Sequence, residues 1–171
     1  MEEKKLIVRK AREEETSSIE TVTLAAYEQY AAVKSEAHWK RYRKGILHTL
    51  SEEKKFECIV AEIDGEMAGS VLFYPPNTDV YGGLLKPFPW AEIRLLAVAP
   101  SHRRKGVANA LLEACEKESR ELGCSYLGLH TDHSMEHAIK LYTKRGYVRF
   151  PDNDFYPVKD LHVMAFRKSV L

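Results

Sequence analysis

The chain has 171 residues, 44% of them hydrophobic and 30% charged, with a formal net charge of +1. That length and balance describe one soluble globular domain, residues 1–171, with a substantial core. They exclude a global field that would recruit nucleic acid or an anionic membrane, and no apolar run approaches the length that spans a bilayer.

In chain order, Leu6, Ile7 and Val8 predict a first strand over residues 5–10. Ile19, Val22, Thr23, Ala26 and Tyr27 recur at helical spacing and predict a helix over Glu13–Tyr30, with Glu13, Glu14 and Glu15 suited to its positive end. A break at Ala32–Ser35 precedes a second helix, Glu36–Leu50, whose apolar stripe is Trp39, Tyr42, Ile46 and Leu50. Phe56–Ile63 and Glu66–Tyr74 read as strands joined by Asp64-Gly65, a strong hairpin turn signal. Residues 75–89 carry glycines, prolines and aromatics without period, and predict a long loop of the kind that often serves function.

Ala91–Val98 is a strand rich in branched apolar residues, ended by Pro100. A basic turn, Ser101–Lys105, leads to Gly106, which opens a helix buried through Val107, Leu111, Ala114, Cys115 and Leu122 and capped by Gly123. Tyr126–Thr131 is a strand, Ser134–Arg145 a helix stopped by Gly146, and Tyr147–Phe150 and His162–Arg167 are the last strands. The order predicts an α/β (α+β) class: a mixed sheet with helices on both faces.

Three cysteines, Cys58, Cys115 and Cys124, are odd in number and lack metal-ligand spacing. They read as reduced thiols of a cytoplasmic protein. Met1-Glu-Glu-Lys-Lys is not a signal peptide, because no apolar h-region follows.

The stretch AEIRLLAVAPSHRRKGVAN, Ala91–Asn109, organises the rest. A strand, a glycine-containing turn and a helix start make an anion site, since the first helical N–H groups lack intrahelical partners and the dipole is positive there. Arg103, Arg104 and Lys105 add full charges, and two linked phosphates suit such a cradle. The pattern Arg103-x-x-Gly106-x-Ala108 resembles the Q/R-x-x-G-x-G/A signature of the GNAT superfamily of N-acetyltransferases. The likeness extends through LLAVAP before it, ALLEACEKESRELG after it, and AIKLYTKRGYVRF, which is similar to the family's "A..LY...GF" segment.

The resemblance implies a mostly antiparallel sheet of about seven strands with four helices. The strands carrying Leu95 and Leu127 would splay into a cleft for the cofactor. It implies acetyl-CoA as cosubstrate, its pyrophosphate held by Arg103, Arg104, Lys105, Gly106, Val107, Ala108 and Asn109. The backbone of Leu96, Ala97 and Val98 would line its pantetheine arm and polarise the thioester carbonyl. The implied reaction is direct attack of a primary amine within a ternary complex. Glu92 then stands as the base and Tyr142 as the acid that protonates the departing sulfur. Plainer alternatives are a Glu92–Arg94 pair on one strand face and a core Tyr142. Met135 departs from the family, which often has asparagine there.

Tyr27, Tyr30, His38, Trp39, Tyr81, Trp90 and Asp154 are candidates for holding a cationic amine, a small molecule or peptide, because aromatics and carboxylates attract cations. Metal is not expected: His130, His133 and His137 lack a cysteine or carboxylate that would complete a closed site. A homodimer is left open. Competing readings are a non-catalytic acyl-CoA sensor and a nucleotide-binding module; the latter lacks the Gly-x-x-x-x-Gly-Lys-Ser/Thr loop.

Overall fold

The structure, a computed structural model, describes residues 5–33 and 35–171. Among the described residues there are seven strands: β1 (Leu6–Lys10), β2 (Glu57–Ile63), β3 (Glu66–Tyr74), β4 (Ala91–Val98), β5 (Tyr126–Asp132), β6 (Val148–Arg149) and β7 (Val163–Ser169). The α-helices are α1 (Thr16–Tyr27), α2 (Glu36–Ser51), α3 (Val107–Glu121) and α4 (Glu136–Lys144). The sheet order is β1-β2-β3-β4-β5-β7-β6. It is mixed: β4 and β5 run parallel, while β1/β2, β2/β3, β5/β7 and β6/β7 are antiparallel. Strand count, helix count and mixed character agree with the expected class.

Residues up to Phe73 with Leu95–Ala114 form one compact unit, and Tyr74–Arg94 with Cys115–Leu171 form a second. In the first unit, β2 and β3 are joined by Asp64 and Gly65, both at positive φ (52° and 80°), as the two-residue primed turn requires. From Ala68 onward β3 is buried on both faces, so it reads as a continuous apolar run rather than an alternating one. Val22 and Ala26 of α1 cluster with Ala97 of β4, and Tyr27 and Met67 pack around them.

The predicted helix over Glu13–Tyr30 is divided. Glu13–Glu15 is a 3-10 turn, because Glu15 reaches back to the Arg12 amide (2.8 Å) and takes a two-pronged bond from Arg9 (2.7 and 2.9 Å). That Arg9 bond, opposed by burial, holds the Glu15 carboxyl down at about 2. Beyond Tyr27 the chain tightens into a second 3-10 stretch, Glu28–Val33. The predicted break at Ala32–Ser35 includes Lys34, which lies outside the described residues. Ser35 then caps α2 by accepting from the His38 amide at 3.2 Å.

In the second unit, β5 and β7 pair along their whole length, from Tyr126↔Ser169 to Asp132↔Val163. The unit is anchored by Glu116 of α3, which is 4% exposed. Arg145 (2.9 Å), Lys168 (2.7 Å) and the Tyr147 hydroxyl (3.0 Å) all donate to its carboxylate. Burial pushes that carboxyl up, but the Arg145 and Lys168 bonds outweigh it and the net shift is downward. The same burial, with the Glu116 charge, pushes the Tyr147 phenol far up, so it stays a donor. The segment predicted as strand Tyr147–Phe150 shortens to Val148–Arg149, and α4 starts at Glu136 rather than Ser134, because Asp132 captures the Ser134 amide at 2.8 Å.

Candidate functional site

The first unit carries the basic turn. After β4, Pro100–His102 makes a single 3-10 turn, fixed by His102 N–H donating to the Ala99 carbonyl at 2.8 Å. Arg104 (φ 63°) and Gly106 (φ 80°) take left-handed backbone, and the Gly106 carbonyl accepts the Ala110 amide at 3.0 Å as α3 begins. Arg103, Arg104, Lys105 and Gly106 are exposed, while Val107 is buried and anchors the helix start. Nothing lies within 4 Å of where a Cβ on Gly106 would sit, so the approach to the turn's backbone is open. His102 is buried beneath it. Lys105 Nζ can only donate, so His102 Nδ1 accepts it (3.2 Å) and Nε2–H donates to Glu66 (3.1 Å). These residues fit a diphosphate: full positive charge, a helix start and accessible backbone in one turn.

Leu95, just before, has φ 51° in mid-strand, an unfavourable conformation for a bulky residue. The Leu96 carbonyl accepts the Tyr27 hydroxyl at 3.2 Å, so that acceptor already has a partner within the unit. Val98 is half-buried, as is Ala108, and Ala97 is buried.

Glu92 belongs to the second unit and is 1% exposed. Both bonds to its carboxylate fall on Oε2: the Tyr81 hydroxyl donates at 2.7 Å, and His130 Nδ1 is in direct hydrogen-bond contact. His130 Nε2 lies 2.9 Å from the Asn153 carbonyl. The local reason is the β4/β5 register, which sets Glu92 opposite Gly128. A Cβ at Gly128 would meet Glu92 Oε1, and also Trp90 Nε1 at 2.6 Å. His130, two residues on, shares that strand face. Phe88, Tyr81 and Phe155 surround the imidazole at 5.9, 4.8 and 5.4 Å. Burial, then the Glu92 charge, pushes the Tyr81 phenol well above its usual range, so Tyr81 stays a donor. The alternative Glu92–Arg94 pairing is replaced: Arg94 donates to the Val80 carbonyl (3.2 Å) and lies 4.7 Å over the Tyr81 ring.

Tyr142 is 8% exposed on α4, its ring edge-on to Tyr147 at 5.8 Å. Met135 precedes α4 and makes no side-chain cap.

The amine-binding candidates divide between the units. In the first, Tyr27 and Tyr30 are 6.0 Å apart and Trp39 joins them through Tyr42, while His38 is exposed. In the second, Tyr81 contacts Glu92 directly. Trp90 is packed flat on Phe88 (5.5 Å) with Arg167 above it at 5.2 Å. Asp154 is engaged by Arg149 (2.6 Å to each oxygen), His162 (2.7 Å) and the Ala165 amide (2.8 Å). Those bonds, Arg149's first, hold its carboxyl far below the usual range, and its acceptors are committed to the fold. His133 faces His162 at 3.4 Å rather than His137, and among the described residues no three metal-ligating side chains converge. Sequence reasoning passed over His130 as a partner of Glu92; the signal was Gly128, a glycine inside an apolar strand two residues before a histidine.

No helix among the described residues is long and apolar enough to cross a membrane. The acetyltransferase (GNAT) family model matches residues 12–147. A 69-residue segment is 33% identical to GCN5-related N-acetyltransferase 4, chloroplastic, of Arabidopsis thaliana, and covers 39% of this chain and 24% of that relative. The fold is similar to that of PaiA N-acetyltransferase from Thermoplasma acidophilum in complex with coenzyme A, at TM-score 0.71 and 16% identity over 96% of this chain and 99% of that one. It is also similar to a GCN5-related N-acetyltransferase from Rhodopseudomonas palustris, at TM-score 0.73 and 18% identity over 99% and 98%. With the family model spanning most of its length, including the basic turn, Glu92 and Tyr142, the chain belongs to the GNAT acetyltransferase family, which uses acetyl-CoA.

Proposed function

We propose that this chain is an N-acetyltransferase, acting as one domain in the cytoplasm, that moves the acetyl group of acetyl-CoA to a primary amine. The observation that carries the reading is the exposed basic turn Arg103–Gly106 at the start of α3, inside the family-matched stretch. Acetyl-CoA supplies an activated thioester carbonyl. Arg103, Arg104 and Lys105, with the amides of Gly106 to Asn109, hold its diphosphate, and the Leu96 or Ala97 amide polarises the carbonyl.

An alkyl ammonium, with a pKa of about 10, gives up two protons in becoming an amide. One goes to Glu92 before attack. Because Glu92 is 1% exposed, that proton travels through a hydrogen-bonded neighbour, and the Tyr81 hydroxyl at 2.7 Å is placed to pass it. Tyr142 gives its phenolic proton to the leaving sulfur and regains one from the new amide nitrogen, so protons balance. A non-catalytic acyl-CoA sensor is the second reading, and it is favoured by how completely Glu92 is enclosed.

Incubation with acetyl-CoA and a panel of amines, following free thiol, separates them. Amine-dependent thiol release is expected. Thermal stabilisation by CoA but not ATP, with no release for any amine, would establish the sensor instead.

A further inference from the structure

The Asn153 carbonyl fixes the protonation of His130. A carbonyl only accepts, so the imidazole nitrogen 2.9 Å from it, Nε2, carries a hydrogen. Nδ1 meets Glu92 Oε2 in a direct hydrogen bond, and such a bond requires one proton between the two atoms. Either Nδ1–H donates to a carboxylate, or a carboxylic acid donates to a bare Nδ1. In both cases the pair holds one proton besides that on Nε2, and its net charge is zero. The enclosure favours this neutrality: Glu92 is 1% exposed and the His130 side chain 3%, and an unpaired charge there would be costly.

We propose that His130 is the positioning residue for Glu92 in acetyl transfer: the pair is a two-seat store for the proton removed from the acceptor amine, and Asn153 holds the second seat open by occupying Nε2. This rests on the acetyltransferase reading of the preceding section. The form that can accept is the pair without its shared proton, a carboxylate facing a bare Nδ1. The proton arriving from the amine enters the Oε2···Nδ1 contact and restores the arrangement seen here. No bond other than O–H or N–H forms or breaks, and the proton later leaves to solvent.

Tyr81, from the loop after β3, stays protonated and donates to the same oxygen, so the carboxylate keeps one donor when the shared proton departs. Among the described residues, the charged and titratable groups near the pair are Tyr81, Arg94 and Tyr74. Arg94 on β4 lies over Tyr81, and Tyr74 acts on Tyr81 electrostatically. The imidazole is also faced by Phe88, Phe155 and the Asn153 backbone.

The test uses the free protein first. Nitrogen-15 histidine spectra are recorded between about pH 5 and pH 8, the range in which imidazoles titrate. A His130 with Nε2 protonated and a far-downfield proton at the Nδ1 contact is expected, and Glu92→Gln should abolish that downfield proton. A His130 protonated on Nδ1 alone, or the same downfield proton in Glu92→Gln, overturns the proposal with no reference to activity. The kinetic arm uses His130→Asn, whose amide can still donate to Glu92 but cannot take up a proton. His130→Gln, which can reach Asn153, serves if the first variant fails to fold. KM for acetyl-CoA should stay within about twofold while kcat falls at least about tenfold, and the acidic limb of the pH–rate profile should move. A profile superimposable on wild type would make His130 a packing residue. Absence of thiol release with every amine would sink the acetyltransferase reading instead, and the spectra alone would still decide whether the proton is shared.

Discussion

Glu92 on β4 stands directly opposite Gly128 on β5, and its carboxylate and the Trp90 indole occupy the space that a side chain at position 128 would fill. Gly128→Ala would put a Cβ 2.6 Å from Trp90 Nε1. Neither neighbour gives way cheaply, since Trp90 is stacked on Phe88 and Glu92 is bonded to Tyr81 and His130. A glycine-to-alanine change usually gains about 0.4–1 kcal/mol through the unfolded chain where the backbone permits it. Overpacking costs about 1–3 kcal/mol and should win. Chemical denaturation should therefore show a loss; a more stable variant would mean the carboxylate is free to move.

For the basic turn, Gly106→Asp should weaken CoA binding about tenfold or more by calorimetry. It sets a negative charge beside the helix start and forces a side chain into a backbone at φ 80°. Arg103→Ala should weaken binding less, because the backbone donors remain. Unchanged affinity in both variants would move the diphosphate elsewhere.

Asp154 makes a pH prediction. Its folded carboxyl is held well below the unfolded value of about 3.9 by Arg149, so its contribution is present above about pH 4 and is lost as pH falls through the folded value. With a side chain 13% exposed and the Arg149 guanidinium as partner, Asp154→Asn should cost about 1–3 kcal/mol at neutral pH. The gap between wild type and variant should narrow as the solution is acidified below about pH 4. An equal gap at about pH 2 and pH 7 would contradict the assignment.

Tyr142→Phe keeps the ring that packs edge-on to Tyr147 and should keep the fold and CoA affinity. Turnover should fall about 100- to 10,000-fold, the contribution of a positioned acid. Wild-type turnover with chemistry rate-limiting would leave Tyr142 as core.

Much of the fold is legible because its signals are local. The branched run Ala91–Val98, the Asp64-Gly65 turn and Ser35 before α2 each fix an element through its own residues. Glu13–Tyr30 misled because no glycine or proline marks its divisions; a capping contact between Glu15 and the Arg12 amide and a tightening after Tyr27 do, and neither disturbs apolar spacing. The candidate site was legible where it is contiguous, at Arg103–Gly106. The Glu92–His130 contact depends on strand register between residues 38 apart, and the Asp154 cluster on a contact with Arg149 and β7. No spacing rule encodes either.

The most direct test of the central claim, that Glu92 takes up the amine's proton, is the pH–rate profile of amine acetylation for wild type and Glu92→Gln at saturating acetyl-CoA. The amide keeps the shape but cannot act as a base. Wild type should lose activity on the acidic side as the carboxylate protonates. The glutamine variant should be slower throughout, bind CoA as before, and lack that limb, leaving only the dependence set by the amine's own ionisation. A glutamine variant with an undiminished rate and the same acidic limb would contradict the account and return Glu92 to a structural role beside Tyr81 and His130.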